Sequence, residues 1–304
     1  MINKQLLIDL LKASNEEIVD VVVQKLYAIE PLKTEAEIIV DKDWVFVYRD
    51  PKLPILVAHM DIAQKRGQLK DDYIVANDRF IWSPLGIGGD DRCGVYALME
   101  LAHLEVNLLF THWEEIGGIG AQEFVVSEIA EKIDPPYFIE LDRRGIGDCV
   151  AYNCDEDNED WYKKIDKFFN WTVGSFSDIE ILGRYWQVCS VNLSIGFFHE
   201  HTTAEYIDLI AMEKTIGKVP LLLAELGKEK YELPMSKYSK SHWYGYGYGY
   251  GYGYDWDYDK DWKLSKKPIA EKRKKRRRDW YLSEDWYSWE IEKWEDWKKL
   301  KKDN

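Results

Sequence analysis

Five short stretches of this chain each close an apolar, strand-like run or open a helix-like one, and each delivers His, Asp or Glu at the junction. They are AHMD (58–61), GIGGDDRCG (86–94), LLFTHWEEIGGIGA (108–121), IELD (139–142) and FFHEHTTAEY (197–206). Short apolar runs bounded by turn residues suit buried strands, and helix-period segments lie between them. Strands alternating with helices build a layered α/β domain. The expected fold is a three-layer α/β/α sandwich with a central mixed sheet, plus a low-complexity C-terminal tail.

Local patterning fills in that frame. Residues 2–13 and 15–28 read as two amphipathic helices, with Ser14 and Glu17 at capping-box spacing for the second. Residues 36–40 and 44–48 read as an antiparallel pair around Asp41-Lys42-Asp43, and 54–59 (PILVAH) as a buried central strand. Asn77-Asp78 turns a hairpin between 73–76 and 79–82. A helix is expected from near Asp91, a strand at 107–112 and a helix from about Gly120. Strands follow at 137–141 and 149–152, then a helix at 160–169 and a strand at 188–195. Residues 206–226 read as mostly helical, with an interruption at Pro220.

The 304 residues suffice for one large α/β domain plus an appendage, or two modest domains, and a 46% hydrophobic share supports a core. A net charge of −14 argues against the whole chain being a nucleic-acid binder. The character changes near Pro234. A Gly-Tyr repeat (242–262) lacks aliphatic residues for a core, a basic block KRKKRRR follows at 272–278, and Trp280, Tyr287, Trp294 and Trp297 fall near helical spacing. This tail reads as largely disordered. Its basic and aromatic residues could contact nucleic acid or an acidic surface, including the body of the same chain. Cys93, Cys149, Cys154 and Cys189 lack paired metal-type spacing and are expected as reduced thiols of a cytoplasmic protein. The N-terminus lacks a signal-peptide pattern, and no apolar run approaches the ~20 residues that span a bilayer, so no membrane partner is expected.

Each junction carries a chemical reading and a plainer one. Alternation at a strand end points His59 and Asp61 the same way, so His59 can bind metal while Asp61 accepts its other ring proton; a histidine at the core edge is the plain reading. Consecutive carboxylates at a strand-to-helix junction are costly unless something positive lies between them. A carboxylate bridging two cations would explain Asp90, whereas Asp91 also suits a helix N-terminus. Glu114 and Glu115 can divide labour, one as ligand and one as general base, or simply occupy a solvated loop. Asp142 ends a strand where ligands collect in open α/β sheets, unless Arg143 and Arg144 neutralise it. His199 and His201 offer one ligand, or form a surface pair. Oxygen and imidazole donors without thiolates suit a hydrolytic zinc, manganese or cobalt site better than a structural zinc.

Taken in order, His-x-Asp, Asp-Asp, Glu-Glu, Asp and His resemble the motifs of the di-zinc exopeptidase superfamily. That superfamily includes tripeptide, glutamyl and bacterial leucyl aminopeptidases and glutamate-releasing carboxypeptidases. AHMD resembles its first metal motif, GGDDRCG its bridging-aspartate motif, EEIGGIGA its base-and-ligand motif, LDRRG its fourth and HEHTTAEY its last. SFSD (175–178) resembles a Ser/Thr-Asp segment near the family's active site. The resemblance covers about residues 50–215 and implies two divalent metal ions, zinc foremost, with manganese or cobalt as alternatives. It implies that Asp90 bridges them, through a peptide bond to Asp91 that is cis in the family. His59 and Asp142 would complete one site, Glu115 and His201 the other. Glu114 would be the general base and Asp61 the partner of His59. His201 is chosen over His199 because the family's ligand precedes a small residue and then an acidic one; His199 is expected as a neighbour in the pocket.

The implied activity is aminopeptidase-like hydrolysis of short peptides by a hydroxide on the dinuclear centre. The alternatives are a deacylase or other amidohydrolase on the same scaffold, and a catalytically idle binding protein acting through its tail. Residues 1–233 would form the metallopeptidase-like catalytic domain and 234–304 the tail. Many members insert a second domain, but the gaps 61–90 and 142–201 are too short for a large one, leaving 155–185 as a small substitute.

Overall fold

A computed structural model of the chain describes residues 2–233, apart from 31, 65, 66 and 155–157. The expectations for residues 234–304, including nucleic-acid contact through the basic block, lie outside the described residues. In chain order the elements are α1 (Lys4–Lys12), α2 (Ile18–Tyr27), α3 (Leu32–Glu35), β1 (Glu37–Val40), β2 (Trp44–Tyr48), β3 (Ile55–His59), β4 (Val75–Ala76) and β5 (Phe80–Trp82). Then come α4 (Gly89–Glu100), β6 (Asn107–Thr111), α5 (Ile119–Val125), β7 (Phe138–Arg143), β8 (Asp148–Tyr152), α6 (Glu159–Ile165) and β9 (Asn170–Trp171). The last are α7 (Asp178–Trp186), β10 (Ser190–Ser194), β11 (Phe197–Phe198), β12 (Tyr206–Asp208) and α8 (Leu209–Leu226).

Eight strands form a mixed sheet in the order β1-β2-β6-β3-β7-β10-β8-β9. The central four, β6, β3, β7 and β10, run parallel, so their C-terminal ends share one edge. Alternate side chains face opposite layers, as strand geometry requires. On β3, Leu56 and Ala58 join a core with Leu7 and Leu10 of α1, Val95 and Leu98 of α4 and Leu222 of α8. Ile55 and Val57 face the other way, into a core with Ala121 and Phe124 of α5 and Ile179 and Leu182 of α7. Two helical layers thus sandwich one sheet, and the α/β/α fold read from the sequence is the one observed. A smaller sheet, β11-β12-β5-β4, lies beside it and buries Phe197, Ile207 and Ile81 in the first core.

Local signals act as chemistry dictates. Asn3 caps α1 by accepting the Leu6 N–H. The Glu17 carboxylate reaches back to the Ser14 N–H and hydroxyl, each at 3.0 Å, while the Glu17 N–H bonds the Ser14 carbonyl rather than its hydroxyl, so only half of the expected capping box forms.

Three expectations need correction. Residues 206–208 are not helical but form β12, paired with β5 and β11. Asp208 then caps α8 by accepting the Ile210 and Ala211 N–H groups. Helix α8 runs unbroken through Pro220, because Met212, Thr215, Val219, Leu222 and Leu226 bury one continuous stripe on both sides of it. Within 158–185, α6 packs on α8, β9 extends the large sheet and α7 enters the second core. Finally, not all cysteines are reduced. Cys154 and Cys189 are disulfide-bonded, while Cys93 and Cys149 are free and buried. The antiparallel pairing of Tyr152 with Ser190 brings the two flanking cysteines together. Among the described residues no helix is long and apolar enough to cross a membrane.

Candidate metal centre

Strand register builds the first half of the site. Val57 of β3 pairs with Glu140 of β7, and two residues further come His59, the last residue of β3, and Asp142, the next to last of β7. His59 Nε2 lies 3.4 Å from Asp142 Oδ1 and 3.2 Å from Asp90 Oδ1. Asp90 comes from the turn into α4, where Asp90 and Asp91 have non-helical backbone and their peptide bond is cis. The other oxygen of Asp90, Oδ2, lies 3.0 Å from His201 Nε2, which is 2.9 Å from Glu115 Oε1. Two groups of three ligand-type residues result: His59, Asp90 and Asp142, and Asp90, Glu115 and His201. Within each, the candidate ligand atoms lie within 4.8 Å of one another. Asp90 contributes one carboxylate oxygen to each group.

Asp61 ties the neighbouring strand ends together. Its two oxygens accept the backbone N–H groups of Glu114 (3.0 Å) and Glu115 (3.2 Å). Its carbonyl is the nearer partner of His59 Nδ1, at 3.1 Å, against 3.5 Å for the carboxylate. The backbone therefore orients the ring more directly than the expected side-chain contact does. Trp113, His199 and His201 all adopt left-handed backbone with φ between 58° and 66°. Non-glycine residues bear a cost there and are often held so at functional sites. Arg143 pairs with Asp148 and Arg144 with Glu200, rather than neutralising Asp142. Asp91 accepts the Gly94 and His59 N–H groups, as its plainer reading at a helix start requires. His199 is exposed, with its ring 5.8 Å from that of Tyr206.

So many acids in one place perturb each other. Burial pushes Asp142 up to about 8, with the negative charge of Asp90 adding and His59 opposing. Burial also holds Glu114 well above the usual carboxylate range, with Asp142, Asp178 and Glu115 reinforcing it against the pull of His59. Burial alone would lower His59, but Asp142, Asp61 and Asp90 outweigh it and hold the imidazole well above its ordinary value. Hydrogen bonds to Asp90 and Glu115 push His201 up to about 11. Asp90 is displaced the other way, since the two imidazoliums overcome its burial. Protons thus act as the counter-cations of this cluster. A divalent ion in each group would do the same with imidazole and carboxylate donors suited to zinc, manganese or cobalt, so the residues present fit a metal pair.

No protein-family model matches the chain, and no curated protein matches it by sequence. Solved structures do match. Aminopeptidase PepT from Bacillus cereus is 14% identical over 73% of this chain and 97% of its own, with a TM-score of 0.56. A tripeptidase from Staphylococcus aureus is 15% identical over 74% and 99%, with a TM-score of 0.54. The LapA aminopeptidase of Legionella pneumophila is 18% identical over 74% and 70%, with a TM-score of 0.53. The chain shares the fold of these solved peptidases.

Behind the candidate ligands, the fold carries buried polar groups that motif reading left unassigned. Asn192 of β10 accepts the Asp142 N–H and donates to its carbonyl, each at 3.0 Å, so it clamps the end of β7. Ser177 donates to Glu140, which is fully buried and held well above the carboxylate range by burial and by Asp142 and Asp178. Asp178 is fully buried too and pushed up to about 6, by burial foremost. Glu205, at 0% exposure, accepts the N–H groups of Gly88 and Asp90. Glu140, Asp178 and Glu205 all sit inside segments singled out in the sequence. What motif order does not convey is which backbone groups they would meet.

Proposed function

We propose that this protein is a dinuclear metal-dependent exopeptidase acting on short peptides in the manner of an aminopeptidase, with residues 1–233 as its catalytic unit. The observation that carries the reading is Asp90, whose two carboxylate oxygens face two separate groups of ligand-type residues. His59, Asp90 and Asp142 would hold one ion, and Asp90, Glu115 and His201 the other, zinc being the best fit to the donors. When bound, such ions polarise a peptide carbonyl and lower the pKa of water. Glu114 takes the proton of the attacking water on its carboxylate and returns it to the departing amine nitrogen. Asp61 positions Glu114 and Glu115 through their amides. The solved relatives named as an aminopeptidase and a tripeptidase support short peptides as substrates.

Elemental analysis of the protein beside His201→Ala tests the reading. Two zinc-like ions per chain, with at least one lost in the variant, together with chelator-sensitive cleavage of short peptides, are the expected result. A protein that stays metal-free when supplied with zinc, manganese or cobalt would sink it.

A further inference from the structure

Glu205 belongs to neither ligand group, yet it is fully buried beside both. It lies on the loop joining β11 to β12, four residues after His201. Its Oε1 accepts the Asp90 N–H at 3.0 Å, and its Oε2 accepts the Gly88 N–H at 2.8 Å and the Gln64 side-chain amide at 2.8 Å. The residue between the two gripped amides is Gly89. A side chain there would meet Phe197 Cβ at 2.9 Å, Ile207 Cγ1 at 3.0 Å and Glu205 Oε1 at 3.3 Å. The turn is therefore packed against the small sheet and tied to it by one carboxylate. Filling this space would not require a charge, and a buried carboxylate is costly unless its hydrogen bonds are made.

We propose that Glu205 is a positioning residue that fixes the Gly88–Asp90 turn, so that each oxygen of Asp90 faces one ligand group. This rests on the dinuclear reading above. One loop then supplies a ligand to one ion, through His201, and sets the ligand shared by both, through Glu205. Loss of Glu205 weakens both ions together, whereas loss of His201 weakens one.

Zinc titration calorimetry on the metal-free full chain tests this, with His201→Ala, Glu205→Ala, Glu205→Gln and Gln64→Ala beside the wild type. Cobalt absorption spectra report the ligand field, and melting of the metal-free proteins reports folding. In Glu205→Ala both binding events should weaken by roughly 10–100-fold, with an altered cobalt spectrum at saturation. Glu205→Gln keeps one acceptor oxygen and should recover part of that loss. Gln64→Ala should show a smaller loss of the same kind. A folded Glu205→Ala that binds two ions with unchanged affinity and spectrum overturns the proposal alone. If that variant does not fold, unchanged affinity in both Glu205→Gln and Gln64→Ala overturns it. A wild type that takes up no ion overturns the dinuclear reading and this role together.

Discussion

Loading the two ligand groups with metal should expel protons in a number large enough to count. His201 is pushed up to about 11 by Asp90 and Glu115, so the metal-free protein carries that ring protonated at pH 7. His59 is also held above its ordinary range, its burial outweighed by Asp142, Asp61 and Asp90. Asp142, pushed up to about 8 by burial foremost, is mostly protonated at the same pH. A metal needs neutral imidazole and ionised carboxylate. His59 is raised chiefly by a charged Asp142, so the two are counted as holding one proton in common, and filling both sites at pH 7 releases about two protons, one from that pair and one from His201. The sign follows: raised pKa values mean bound protons, bound protons compete with the ion, and affinity falls as pH falls. The overall two-ion constant should rise about 100-fold per pH unit between pH 6 and 7. Asp142 ionises through about pH 8, while His201 keeps its proton until near 11, so affinity goes on rising with pH across that range. Calorimetry of zinc binding in two buffers of different ionisation enthalpy, at one pH, counts the protons directly. Two ions bound with release of less than one proton, or with affinity indifferent to pH from 6 to 8, would refute the assignment of His59 and His201 as the displaced charges.

Three further outcomes are expected. Glu114→Gln should keep both ions but lose about 10²–10⁴-fold in peptide turnover, and wild-type turnover in the metal-loaded variant removes Glu114 as the base. Gly94→Ala would press a methyl against the Leu141 carbonyl and to 2.6 Å from Asp91 Oδ1, neither of which can withdraw without breaking the β7 end or the helix start. It should cost about 1–3 kcal/mol or more, and an unchanged urea midpoint would contradict that packing. Reducing the Cys154–Cys189 bond, which closes a sequence separation of 35 residues, should cost roughly 3–4 kcal/mol. A thermal midpoint indifferent to reductant means the link contributes nothing to the folded state.

The layered fold was legible because β3, β6 and β7 are short apolar runs that end abruptly in polar residues. His59 ends β3, Asp142 lies near the end of β7 and Asp90 opens α4, whereas Glu115 and His201 lie in loops, and the grouping of the five came from the resemblance in motif order. Short-range grammar misled where packing decides. Residues 206–208 look continuous with a helix, and only pairing with β5 and β11 makes them a strand. Pro220 looks like a break, yet buried residues on both sides hold α8 together. The Cys154–Cys189 bond has no signature at that separation, since it depends on β8 and β10 being neighbours. Glu205 and Asn192 were invisible because their partners are main-chain amides of distant segments.

The placing of His59 and Asp142 at matching positions on adjacent parallel strands reaches beyond this one contact. Neighbouring strands stand about 4.8 Å apart whatever side chains they carry. Two residues in matched register near the strand ends are therefore offered at nearly the span of a single cation, and the spacing is a dimension of the backbone lattice. Interior residues can be exchanged freely as long as volume and apolarity are kept, and that gauge does not change. A chain organised this way can drift far in sequence while the same few side chains stay opposed along one edge.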